Sequence, residues 1–330
     1  MMRAFSLLLV VLGLAACAAD IGARRADGTC PLIPLAEMPI ETHGNLLFIQ
    51  AGIGREQVTM LVDTGAERTL LTEAAVDRLQ LPRDMQHATR TYGIGSPTAS
   101  WDAKLPNGIV LGSTHFPVDS VTVGRFGIGE VAGGSADGLL GADILLAFDL
   151  DIDLPAHRIT LYRARRECPE AAPPWDEPYV AVPGVSARRD RLLVPFELDG
   201  VAGLGVLDTG AQASSISKSM AERIGLAEEA MATDRLVMAH GAAPDQVPVR
   251  IHRFSELRVG SAVVREPALP VVPMSRGMGD GLVGADFLRG RRTWLSFSTQ
   301  RIFVTPLVRG PWIAVTHADE GAAPVKPVSP

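Results

Sequence analysis

MLVDTGAERTLL occupies residues 60–71 of the 330-residue chain. An apolar run leads into Asp63, Thr64 and Gly65, and the chain then turns apolar again. Asp and Gly are common turn formers, so one such copy reads equally well as a turn or a helix cap. The rest of the chain decides. VLDTGAQASSIS begins at Val206, and its Asp208 lies 145 residues after Asp63. The match outruns the tripeptide. Thr72 and Ser217 each stand 9 residues past their Asp and suit a helix N-cap. Apolar residues follow on a helical period, Val76 and Leu79 in one copy, Ala221 and Ile224 in the other.

A second element recurs further on. DGLLGAD spans Asp137 to Asp143, and DGLVGAD spans Asp280 to Asp286, 143 residues apart. RITLY from Arg158 and RIFVT from Arg301 then match as closing strands. One Asp-Thr-Gly would arise by chance in about a few chains per hundred of this size. Two copies, each followed by the same second motif, imply duplication of a lobe of about 120 residues. Within each half, short apolar runs broken by Gly and Pro (NLLFIQAGIG, GIVLG, LLVPFEL) predict a mostly β fold with one or two short helices.

The paired motif resembles the retropepsin-like aspartic peptidases. They carry Asp-Thr-Gly-Ala at the end of an apolar strand, and later two apolar residues and a Gly in a loop that crosses behind it. Those are Leu139, Leu140 and Gly141 here, then Leu282, Val283 and Gly284. Viral members build one site from two chains, and pepsin-like enzymes hold two longer lobes in one chain. This sequence looks like two retropepsin-sized lobes fused, and the resemblance implies a small closed β-barrel for each.

It also implies a catalytic dyad of Asp63 and Asp208, with Thr64, Gly65, Thr209 and Gly210 holding the carboxylates and bracing the lobes. Two carboxylates held close share one proton, which suits one to take a proton from water and the other to donate to a scissile carbonyl. The pair titrates together, so the sequence leaves the proton unassigned. A flap is expected at TYGIGSPTASW, with Tyr92, Gly93 and Gly95 toward substrate. VMAHGAAPDQ offers His240 and Gly241 at the corresponding place but no Tyr, so the two hairpins are not equivalent. Asp143 and Asp286 read as caps of a short helix.

The expected activity is aspartic endopeptidase, acting on a peptide or protein substrate as a monomer without a cofactor. The alternative is a catalytically silent peptide-binding protein of the same fold.

Other chemistry finds little support. Apolar residues make up 47% and charged residues 21%, a globular composition, and a net charge of −6 without a basic run argues against nucleic acid. The seven histidines (His43, His87, His115, His157, His240, His252 and His317) form no zinc-ligand spacing, so no metal is expected. GGSAD around Ser135 lacks the second Gly of a nucleophile elbow, and GIGEVAGG has the wrong spacing for a dinucleotide loop.

The N-terminus MMRAFSLLLVVLGLAAC has one basic residue, a short apolar core and small residues, as bacterial export signals do. LAAC resembles a lipobox, which implies a signal over 1–16, a lipid on Cys17 and a place on the periplasmic face of a bacterial membrane. Cys30 and Cys168 would then form a disulfide or remain two thiols. The expected layout is a tether over 17–44, lobes over 45–164 and 191–308, a Pro-rich linker of little regular structure over 165–190, and a largely disordered tail over 309–330.

Overall fold

The computed structural model describes residues 32–91, 98–124, 130–131, 134–163, 172–188, 191–240, 246–274 and 278–307. The signal, Cys17, Cys30, Cys168, residue 308 and the tail over 309–330 lie outside them, as do Tyr92, Gly93, Gly95 and Gly241.

Each half builds a ten-stranded sheet, nine strands on one path and a tenth paired beside it, and the two paths have the same strand order. In the first half the path runs Arg83–Thr91, Thr98–Lys104, Ser120–Gly124, Leu70–Thr72, Gly138–Leu140, Glu56–Val62, Leu46–Ile53, Ile109–Leu111, Thr114–Phe116. In the second it runs Arg235–His240, Gln246–Arg253, Ala268–Val272, Ser215–Ser217, Gly281–Gly284, Val201–Asp208, Arg191–Leu198, Glu256–Val259, Ala262–Arg265. The duplication seen in the sequence is thus a duplication of topology. Among the described residues each hydrogen-bonded path is open at both ends.

The strand that carries each acid is flanked on both sides. Glu56–Val62 pairs antiparallel with Leu46–Ile53 and parallel with Gly138–Leu140. The latter crosses behind it and also pairs antiparallel with Leu70–Leu71. Val201–Asp208 is enclosed by Arg191–Leu198 and Gly281–Gly284 in the same manner. Val58, Met60 and Val62 are fully buried on one face, and Leu61 is nearly so on the other. That burial on both faces is why the run before Asp63 is apolar without alternation. The crossing strand squeezes into its slot: a Cβ at Gly138 would sit 2.1 Å from Leu70 O, and one at Gly281 2.4 Å from Ser215 O. The first glycine of each DGLxG motif is therefore required by close backbone approach.

The short helices form where the sequence places them. Glu73–Leu79 is capped by Thr72, whose hydroxyl accepts from Ala75 N at 3.2 Å. Lys218–Ile224 is capped by Ser217, which accepts from Met220 N at 3.1 Å. Val76 and Ala221 turn into the core. Each helix is also pinned to its acid-bearing strand through the first Asp of the later motif. Asp137 accepts from Arg78 at 2.6 Å and from Thr59 N at 3.0 Å. Asp280 accepts from Arg223 and from Leu204 N.

The two halves do not simply abut. Six strands form one shared sheet in the order Pro34–Pro39, Arg158–Arg163, Phe148–Asp153, Arg292–Ser296, Arg301–Val304, Val180–Ala181. The two closing strands expected to end separate lobes thus join a common layer, and Phe148–Asp153 pairs antiparallel with Arg292–Ser296 at its centre. Segments expected outside the lobes also belong to the fold. Pro34–Pro39 and Glu41–His43, in the expected tether, pair with Arg158–Arg163 and Leu46–Phe48.

The expected irregular linker supplies Val180–Ala181, on Phe303 and Val304, and Ser186–Arg188, on Arg191–Leu193. Its Trp175 packs with Trp294 and Phe303 and donates Nε1–H to Asp151 at 3.1 Å. Asp151 is buried and takes two hydrogen bonds from Arg292, at 2.9 and 2.7 Å, which also bonds Glu177. Burial opposes the charge on Arg292, but the bonds from Asp151 and Glu177 outweigh it and hold the guanidinium firmly protonated.

Candidate active site

Asp63 follows the last residue of its strand, and Asp208 is the last residue of its own. Each chain then turns sharply and wraps its own carboxylate. Oδ1 of Asp63 accepts from the amides of Gly65 and Ala66, both at 2.9 Å. Oδ1 of Asp208 accepts from Gly210 at 2.9 Å and Ala211 at 3.1 Å. These bonds fix both carboxyl planes without using any charged residue.

The threonines join the loops. Thr64 Oγ1 donates to Leu207 O at 2.8 Å, and Thr209 Oγ1 donates to Val62 O at 2.6 Å. Each hydroxyl also accepts the other threonine's amide at 3.1 Å. Both side chains are buried, so all four bonds are shielded from water. The glycines set the spacing. A methyl on Gly65 would lie 2.3 Å from Cγ of Asp208, and one on Gly210 would lie 2.4 Å from Cγ of Asp63. Only glycine lets each loop approach the opposite carboxylate this closely.

Each loop's glycine lies against the opposite carboxyl, so the two carboxyls are brought close enough for the charge of one to act on the other. Both residues keep part of their surface open while protein surrounds the rest. Burial pushes the Asp63 carboxyl above the usual carboxylate range, and the Ala66 and Gly65 amides, Asp208 and the charge of Arg191 pull partly against it. Asp208 is pushed further up, by burial first and then by the charge of Asp63. Two acids that cannot easily ionise together hold one proton between them over a range of pH.

Behind the loops lies a layer the sequence misread. Asp143 and Asp286 are not helix caps: Gly141 and Gly284 occupy the cap positions, and neither makes a side-chain cap bond. Instead Asp143 accepts from Thr69 N at 2.8 Å and Thr69 Oγ1 at 2.6 Å. Asp286 accepts from Ser214 N at 2.9 Å and Ser214 Oγ at 2.7 Å. The same hydroxyls accept Gly141 N and Gly284 N. Each carboxylate thus ties the far end of an Asp-Thr-Gly loop to the crossing strand. The signal was present in the sequence: a hydroxyl residue stands six places after each Asp, at Thr69 and Ser214. Asp286 is buried, which raises its carboxyl to about 6. Asp143 is exposed.

Hairpins stand at both expected flap positions. Thr91 pairs with Thr98 in one and His240 with Gln246 in the other. Their tips, with Tyr92, Gly93, Gly95 and Gly241, lie outside the described residues, and His240 is described only as strand backbone. No group of metal-binding side chains occurs among the described residues.

No curated protein matches the chain. A family model described as aspartyl protease matches it twice, over residues 49–144 and 194–287, together more than half of its length. Each matched segment contains one Asp-Thr-Gly loop and the Gly-Ala-Asp that braces it. With two such repeats in one polypeptide, the chain belongs to the aspartyl protease family.

Proposed function

We propose that the protein is an aspartic endopeptidase whose dyad is Asp63 and Asp208. The observation that carries this reading is the pair of carboxyls brought together by two equivalent, interlocked loops. A protein that only binds peptides gains nothing from two like acids side by side, and burying them is costly.

Hydrolysis needs no covalent intermediate. The ionised carboxylate takes a proton from water, the resulting hydroxide attacks the scissile carbonyl carbon, and the protonated partner gives its proton to the carbonyl oxygen. In the tetrahedral diol that forms, the first acid then protonates the amide nitrogen. The second recovers a proton from a diol hydroxyl, and the C–N bond breaks to give a carboxylic acid and an amine. The dyad returns to its starting state with one proton.

Proteomic profiling of new termini on unfolded proteins tests this. The expected result is cleavage by the wild type and none by Asp63→Asn or Asp208→Asn. Undiminished cleavage by either variant refutes the assignment.

The reading extends to an exported, monomeric, lipid-anchored enzyme facing the periplasm. It is supported by the LAAC sequence ending at Cys17. Labelled fatty acid should enter the wild-type chain and not Cys17→Ser; equal incorporation refutes the anchor.

A further inference from the structure

The two half-sites match in backbone but not in charge. Arg191 opens the strand Arg191–Leu198 and reaches into the other lobe. Its Nε donates to Gly65 O at 2.9 Å, and its terminal nitrogen lies 3.2 Å from the Glu67 carboxylate. The side chain is only 14% exposed, so its charge acts across protein rather than across water. It sits on the loop that wraps Asp63.

The equivalent position 145 residues earlier is Leu46, and the residue equivalent to Glu67 is Gln212. The return contact on that side is neutral: Asn45 Nδ2 donates to Gln212 O at 2.9 Å. Among the described residues the main influences on Asp208 are burial, Asp63 and the amides of Gly210 and Ala211, with no cation. Among the described residues the charged groups that act on Asp63 are Asp208 and Arg191, with Glu67 paired to Arg191.

We propose that Arg191 is a positioning residue that fixes the polarity of the dyad, keeping the negative charge on Asp63 and the proton on Asp208. This rests on the peptidase reading above and sharpens it. Asp63 becomes the base that faces the water, and Asp208 the acid that faces the carbonyl oxygen. A peptide then has one productive direction across the cleft. In a dyad of two equal halves either acid could take either part.

The experiment is the pH profile of kcat/KM on a peptide cleaved in the profiling assay. The acid limb reports formation of the singly ionised dyad. Arg191→Met removes the cation and should move that limb up by about one unit, the low end for a nearby opposite charge because Glu67 offsets part of it. Glu67→Gln removes the offset and should move the limb down. Arg191→Lys should stay near the wild type. Loss of packing alone cannot drive the two neutral variants in opposite directions. Glu67 is exposed, so its variant keeps the test decisive if Arg191→Met fails to fold.

Limbs that stay in place, or shift the same way, overturn the polarity while leaving the peptidase reading intact. Absent cleavage, or cleavage that survives Asp208→Asn, refutes the dyad and the polarity together.

Discussion

Replacing Thr209 by Val should separate the bracing of the lobes from everything else the site does. The two side chains have nearly the same shape, so no cavity opens. The hydroxyl disappears, and with it the bonds to Val62 O at 2.6 Å and from Thr64 N at 3.1 Å. Both groups lose a partner inside an interface where Thr64 and Thr209 are fully buried. A buried polar group left without its partner costs roughly 1–3 kcal/mol. Two of them, less the gain from burying a methyl in place of a hydroxyl, come to about 2–4 kcal/mol. At the ~2–4 °C per kcal/mol expected of domains approaching this size, Tm should fall by roughly 4–16 °C. Thermal unfolding by scanning fluorimetry, with urea unfolding as a second measure, reads this directly. Thr209→Ser keeps the hydroxyl and should stay close to the wild type. Thr64→Val loses the bonds to Leu207 O and from Thr209 N, and should fall as far as Thr209→Val. A Tm for Thr209→Val within 1 °C of wild type, or a Ser variant as damaged as the Val one, would refute the reasoning.

Two other outcomes follow from the geometry. Gly210→Ala places a methyl 2.4 Å from Cγ of Asp63 and must displace that carboxylate; kcat should fall by about a hundredfold or more while the fold survives, checked by circular dichroism beside kinetics. Asp286 has its carboxyl raised by burial to about 6, so its proton favours the folded state. That contribution is full below the unfolded value near 4 and is lost as pH rises to about 6, up to about 3 kcal/mol in all. The Tm of wild type minus that of Asp286→Asn should therefore grow as pH falls from 7 to 4, and a flat difference contradicts it.

Local geometry was the legible part of this sequence. Thr72 and Ser217 cap helices through bonds that span three residues, and a cap signature sits wholly inside that window. The acid loops were legible because they occur twice. Long-range pairing was not. Nothing in the DLDID run of Asp149–Asp153 says that Arg292 of the other half neutralises Asp151. The partner of Val180–Ala181 is likewise more than a hundred residues away, although Ser186–Arg188 pairs with the strand that follows it in the chain. Proline content spoke against both, because composition reports local stiffness and not what a segment lies against. Asp143 was misread for the same reason: Gly-Ala-Asp before an apolar run looks like a helix start, and the hydroxyl it serves is 74 residues upstream.

The shared six-stranded sheet also changes how the site responds to dilution. A dyad divided between two identical chains exists only above the concentration at which they associate, and every change in one chain appears in both. Here Phe148–Asp153 and Arg292–Ser296 are already paired within one polypeptide, so the partner lobe is present at a fixed, high effective concentration. Specific activity should then be independent of enzyme concentration down to the nanomolar range. The halves are also free to drift apart in sequence while their backbones stay matched, and an arginine that serves one aspartate and not the other is a change that no homodimer could make.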